Sequence, residues 1–463
     1  MSLVADTTTP GQESGRTAEQ RTILAVAVLA SFVAFLDGTV VSVALPAISA
    51  ELGGGLAVQQ WVVDAYLITL GALILVAGSL SDLYGRLRVM RVGLVGFGLT
   101  SVLIAAAPTA EVLVVARGLQ GVAGALLVPS SLALITSTFR GAAQSRAIGS
   151  WTAWTSGAAL AGPVVGGLFV DLLSWRLAFL VNVLPIAVTL YLMTRLEMRD
   201  VRVPGAHVDY VSTVLAVVGL GGPVVALIEH ERLGWSHPAI WLPLTVGVLA
   251  AVAFLVRQRI ATQPMLPLDL FRARNFSWGN AATVFVYGAL SLSGFVIVVY
   301  LQEHAGYTAT EAGLAMIPST VVMVALSSTV GRWSGTLGPR LFMTAGPIVA
   351  GASFLLLLAI GDDVDYPTQV LPGVLVFGLG LTLTVAPLTS AILGAIDPSR
   401  SGIASAVNNA VSRVAGLVTV ALLGVVTGGA LDPEGYQRAM IVSAALMGVG
   451  GLVSWVGIRR PAR

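Results

Sequence analysis

One carboxylate interrupts the apolar run Ser31-Phe-Val-Ala-Phe-Leu-Asp37-Gly-Thr-Val-Val-Ser-Val-Ala-Leu-Pro46, which begins near Thr22. At ~1.5 Å per helical residue, Asp37 lies ~22 Å into that run, near the middle of a ~30 Å hydrocarbon layer. An ionised Asp there costs at least about 2.5–3.5 kcal/mol. It must face a polar cavity, find a partner or carry a proton; a packing hydrogen bond to a neighbouring helix is the competing reading. Arg117, in Ala116-Arg117-Gly118-Leu-Gln120-Gly121, poses the same problem with the opposite sign. Its guanidinium stays charged at any relevant pH, so it needs a polar interior or a carboxylate unless it snorkels to the nearby helix end. Asp64 and Tyr66, in Trp61-Val-Val-Asp64-Ala-Tyr66, sit near the end of the next apolar run. Asp64 reads as a second proton site or as a wet vestibule carboxylate.

Elements of one kind must carry these groups. The 463 residues are 56% hydrophobic and 10% charged, against about 25% charged in soluble domains. Apolar runs of spanning length fall at about 22–46, 58–80, 89–107, 111–136, 146–170, 176–194, 210–228, 239–256, 277–301, 312–331, 341–360, 368–392, 402–427 and 439–458, fourteen in all. An even number puts both termini on one side. All 25 basic residues are arginine; with the tail inside, twenty fall on the cytoplasmic side and only Arg176, Arg232 and Arg438 outside. That asymmetry follows the positive-inside rule and sets both ends in the cytoplasm. The other face is acidic, with Glu51, Glu111, Asp171, Glu229, Glu231, Asp362, Asp363, Asp365, Asp432 and Glu434.

Residues 1–21 read as a polar cytoplasmic tail, 22–198 as six helices, 199–270 as a linker carrying two extra spans, and 271–463 as six more helices. The linker is bounded by Arg199-Asp-Val-Arg-Val-Pro204-Gly and Gln263-Pro-Met-Leu-Pro267. Gly78-Ser-Leu-Ser-Asp82-Leu-Tyr-Gly85-Arg86 follows the second span, and Gly331-Arg-Trp-Ser-Gly335-Thr-Leu-Gly338-Pro follows the second span of the later six. Glycines at the same offsets point to a six-plus-six duplication.

Asp82, Gly85, Arg86 and Arg88 occupy a very short turn, where Gly85 permits a positive φ and the charges can pair across a cytoplasmic helix-end interface. A charged loop obeying the positive-inside rule is the plainer reading. In the fifth span, Gly157-Ala-Ala-Leu-Ala-Gly162-Pro163-Val-Val-Gly166-Gly167 combines a small-residue face with a proline that favours a kink. Trp175-Arg176-x-x-Phe179-x-x-Asn182-x-x-Pro185 opens the sixth span with an interfacial Trp, and Glu303 ends the ninth at the interface. Arg413 falls inside the thirteenth span, where it and Asn408 can form a polar contact.

Taken together, these segments resemble the major facilitator superfamily, and within it the fourteen-span drug–proton antiporter branch. Residues 78–86 resemble its loop signature. Leu36-Asp37-Gly-Thr39-Val40-Val-x-Val-Ala-Leu-Pro46 resembles the first-helix motif, with Ser42 where Asn is common. Residues 117–121 resemble the fourth-helix motif, and 157–167 the fifth-helix motif associated with export. The resemblance implies an all-α membrane fold of two six-helix bundles around a cavity, with the extra pair between them. It implies Asp37, Arg117 and Asp64 as proton and substrate coupling residues, and Tyr66, Gln120, Asn408 and Arg413 as cavity candidates. It further implies a latch at Asp82, Gly85, Arg86 and Arg88, whose second copy is incomplete at Gly335, and a hinge at Gly157, Gly162, Pro163, Gly166 and Gly167.

The expected activity is proton-coupled export of amphipathic small molecules across the inner membrane by a monomer, driven by the proton gradient without a cofactor. A dedicated exporter of one metabolite uses the same scaffold. Import is disfavoured by Gly162-Pro163. The absence of cysteine, of His-x-x-x-His spacing and of a phosphate loop argues against a metal enzyme and an ATP-driven pump, and no nucleic-acid partner is expected. The loops are too short for a membrane enzyme.

Overall fold

A computed structural model describes residues 17–196, 200, 207–361, 364–397 and 400–459. Most of the tail, the linker residues around Arg199, Arg202 and Pro204, the pair Asp362 and Asp363, and the C-terminal Arg460 and Arg463 lie outside the described residues. Among the described residues, fourteen helices are long and apolar enough to cross a membrane. They are α1 (Ala18–Leu52), α2 (Gly55–Tyr84), α3 (Arg86–Ala105), α4 (Ala110–Thr138), α5 (Arg146–Leu172), α6 (Leu177–Thr194), α7 (Tyr210–Leu233), α8 (Pro238–Ile260), α9 (Arg274–Glu303), α10 (Ala309–Leu337), α11 (Pro339–Ala359), α12 (Tyr366–Leu393), α13 (Ser401–Ala421) and α14 (Pro433–Gly457). Their ends depart from the apolar runs by at most six residues. The helices overshoot because caps such as Thr17, Thr308 and Asp432 sit beyond the hydrocarbon-like stretch.

Helices α1–α6 pack on one another, and so do α9–α14. Helix α7 packs on α8 and lies over the line where α2 meets α13. The two turns with repeated glycines share a backbone conformation. Gly85 (φ 100°, ψ 140°) and Gly338 (φ 88°, ψ 153°) each end the second helix of their half and begin the third. Their amides donate to Ser81 and Ser334 at equivalent positions.

The extra pair is clamped at the arginine-rich face. Asp209 caps α7 through the Ser212 amide at 3.0 Å and takes Arg257 of α8 at 2.9 Å. Burial pushes the Asp209 carboxyl up, but Arg257 and Ser212 outweigh it and bring it down to about 2. A depressed carboxyl contributes stability above its unfolded value and loses it as pH falls through the folded one. The thermal-stability difference between the protein and Asp209→Asn is therefore expected to be full at neutral pH and to shrink between pH ~4 and ~2. On the same face, Arg400 holds the Asp269 carboxyl below its ordinary range and ties the linker to the start of α13.

Candidate functional site

Asp37 is fully buried and sits in a cage drawn from four helices. Its Oδ2 accepts from Arg117 at 2.7 Å; its Oδ1 accepts from Gln120 at 3.1 Å and from Asn182 of α6 at 3.0 Å. Arg117 is 2% exposed, so its guanidinium does not snorkel. Its Nε donates to the Val62 carbonyl at 2.9 Å, its NH1 to Gln120 at 2.5 Å, and its plane lies 4.4 Å from the centre of the Tyr66 ring. Gln120 also donates to Ser101 of α3. Every charge in the cage is compensated, as a low-dielectric interior requires.

Glycine at position 121 makes the cage possible. A Cβ there would lie 2.1 Å from Thr69 Oγ1 and 2.3 Å from the Tyr66 carbonyl. Helices α2 and α4 meet at this point, and Thr69 donates to the Gly118 carbonyl at 2.7 Å. Gly121→Ala is expected to force these helices apart, lowering stability by about 1–3 kcal/mol in a thermal-unfolding measurement.

Asp64 is not a wet vestibule group. It is completely buried, and among the described residues neither carboxyl oxygen has a hydrogen-bond partner. It lies on the face of α2 that carries Gln60, which donates to the Val420 carbonyl of α13, and Ile68, which packs on α7 and α13. That face is the seam between the two halves. Across it, Gly71 approaches the Arg413 Cβ. Arg413 makes no hydrogen bond or ion pair with a described residue. The expected contact between Asn408 and Arg413 is not formed. Asn408 donates instead to Asn280 and Thr283 of α9, because five helical residues turn Arg413 well away from it.

The fifth helix packs on two partners at once. A Cβ on Gly162 would meet Thr39 Oγ1 at 2.0 Å, and one on Gly166 would meet Val43 and the Val40 carbonyl, so this stripe fits α1. One residue further round, a Cβ on Gly167 would lie 2.5 Å from the Thr310 Cα, and Gly313 faces the Pro163 carbonyl; this stripe fits α10 in the other half. Gly157 has nothing within 4 Å and takes no part in either contact. The helix runs without interruption through Pro163.

Contacts between the halves concentrate toward the acidic face. Asp171, at the end of α5, accepts from the Ala309 and Thr310 amides at the start of α10, at 2.9 and 2.8 Å. Gln59 donates across the seam to Glu303 at 2.7 Å, while Trp175 and Arg176 bind Glu51 within the first half. The expected latch across the opposite face is not made. Asp82 and Arg86 lie 3.8 Å apart within one turn, and Arg86 reaches the Ala133 carbonyl of its own half. The Arg88 side chain does not cross either. Instead Asp200 caps α3 through the Leu87 and Arg88 amides, filling the space a Gly85 side chain would need. Among the described residues, Asp82 and Arg86 find partners only within their own half.

Sequence reading missed Asn182, Ser101, Asp171 and Asp200. Asn182 left a signal, an amide inside an apolar span. The two aspartates left none, since cap partners distant in sequence have no local pattern.

Two helical bundles meeting along a seam, with a buried ion pair inside one of them, define a multi-span membrane transporter of two-bundle construction. The chain belongs to the Major Facilitator Superfamily, whose sequence pattern matches residues 27–420. It is similar to the puromycin resistance protein of Streptomyces alboniger, at 35% identity over 92% of this chain and 86% of that one. It is also similar to the cephamycin export protein of Amycolatopsis lactamdurans, at 30% identity over 97% and 93%. The fold matches the crystal structure of a peptide transporter in complex with sulfate, with a TM-score of 0.70, 15% identity and 94% of each chain covered.

Proposed function

We propose that the chain is a proton-coupled exporter of amphipathic small molecules, working as a monomer by alternating access in the cytoplasmic membrane. The arginine-rich face, with both termini, is cytoplasmic. The observation that carries this reading is the contrast between two buried carboxyls. Asp37 receives three N–H donors, one from a guanidinium. Asp64 receives none from a described residue, and a buried carboxyl without a donor is costly to keep charged. A transporter that changes access at the seam can exchange these environments and so take up a proton from one side and release it on the other. Each inward proton supplies ~2.3 kcal/mol per 100 mV besides its concentration gradient. Substrate in the central cavity that alternating access opens, for which Tyr66, Gln120, Asn408 and Arg413 are the candidate lining, competes with the protonated state, and efflux follows.

A dedicated exporter of a single antibiotic is the second reading, favoured by relatives named for puromycin resistance and cephamycin export. Both readings are tested in cells stripped of other pumps, by following retention of lipophilic cations, neutral antibiotics and dyes with and without a protonophore. Protonophore-sensitive efflux of several classes supports the broad exporter. Efflux of one compound alone supports the dedicated one, and efflux indifferent to the protonophore contradicts proton coupling in either.

A further inference from the structure

A second cavity, of about 570 Å³, lies between the extra helices and the flank where α2 meets α13. Its walls include Gly71, Ala216, Ala251, Phe254, Val411 and Leu266. Thr419 is the only residue among the lining with a polar side chain, and its hydroxyl lies 3.0 Å from the carbonyls of Gly288, Ala415 and Gly416. Nothing in the slot is left to hydrogen-bond a guest. A drug-sized polar molecule would lose its hydration there without compensation, whereas a hydrocarbon chain would lose nothing and gain dispersion contacts.

The mouth carries charge. Leu255 lines the slot, and Arg259 follows it by one helical turn on the same face of α8; Phe271 lines it, and Arg272 is the next residue. Both arginines are exposed, and neither makes a hydrogen bond or an ion pair with a described residue. Neighbouring arginines on this face are engaged: Arg257 with Asp209, Arg274 with the Gly457 carbonyl, Arg400 with Asp269. Two uncommitted guanidinium groups at headgroup level, above a slot that accepts only hydrocarbon, match one kind of molecule.

We propose that this slot is a binding site for an anionic phospholipid, with an acyl chain between α7, α8 and the α2–α13 seam and the phosphate held by Arg259 and Arg272. The bound lipid packs the extra helix pair against both halves while leaving the seam free to slide, because hydrocarbon imposes no directional contact. The site is separate from the Asp37 cage and does not depend on the exporter reading.

Native mass spectrometry of the purified full-length protein tests this, with phosphatidylglycerol and phosphatidylcholine of identical chains added in turn. One phosphatidylglycerol is expected to be retained about tenfold more strongly than phosphatidylcholine. The double variant Arg259→Ala/Arg272→Ala should erase that preference. Ala216→Trp, which fills the slot, should abolish retention; Ala251→Leu on the neighbouring helix α8 serves where the larger change prevents folding. Equal retention of the two lipids by the unaltered protein would overturn the proposal. So would phosphatidylglycerol binding that survives both slot filling and arginine removal, or displacement of the lipid by a hydrophobic drug that binds there more tightly.

Discussion

Asp37→Asn is expected to reduce proton-driven substrate accumulation in reconstituted vesicles by about tenfold or more while leaving substrate-for-substrate exchange measurable. The amide keeps the shape of the carboxyl and can still pair with Asn182, but it carries no charge against Arg117. The variant must therefore also lose stability, since removing one partner of a buried ion pair costs about 3–5 kcal/mol. A fall in transport alone would then be ambiguous. The double variant Asp37→Asn/Arg117→Gln resolves it, because it leaves no uncompensated charge. Its melting temperature should recover most of the loss, and its proton-driven accumulation should not. If the double variant accumulated substrate like the unaltered protein, the pair would be a packing device and nothing more.

The second large effect is expected at Asp171. Its carboxylate holds two amides of α10 from the end of α5, and both helices must separate there before the acidic face can open. The site is exposed to solvent, so the two hydrogen bonds together are worth about 1–2 kcal/mol. Removing them should shift the balance toward the state open at the acidic face by about five- to thirtyfold. Ala312, buried in α10 beside this contact, is a suitable reporter, and the chain contains no cysteine of its own. Ala312→Cys should be labelled slowly by a membrane-impermeant thiol reagent, and much faster once Asp171→Ala is added. Gly167→Leu should act in the same direction, since even a Cβ there meets the Thr310 backbone. Unchanged labelling in both would mean that this contact does not hold the acidic face shut.

Much of the architecture was legible in the sequence because a bilayer leaves few alternatives. Length and hydropathy locate spans, and Gly85 and Gly338 mark the repeat because a chain that reverses within one residue needs a positive φ. The chemistry was legible by residue but not by pairing. Asp37 and Arg117 each demanded a partner, yet 80 residues separate them, and only the close approach allowed by Gly121 brings their helices into register. The sequence left Asp64 open between a proton site and a vestibule carboxylate, because burial of that face depends on packing of α7 and α13 beside Ile68, which leaves no local signature. The latch expected at Asp82 is not made across the halves among the described residues. Its residues can be read from the sequence; which face is shut depends on a balance of a few kcal/mol that no local pattern records.

The most direct test of the account is proton movement itself. The purified protein is placed in vesicles with equal pH on both sides, and an outward gradient of a substrate identified in the efflux experiments is imposed while internal pH is followed. Substrate leaving the vesicle through a proton antiporter must bring protons in, so the lumen should acidify, with no change in empty vesicles and a greatly reduced one in Asp37→Asn/Arg117→Gln. Substrate efflux with no acidification would contradict proton coupling, and acidification undiminished in the double variant would contradict the role given to the Asp37–Arg117 pair.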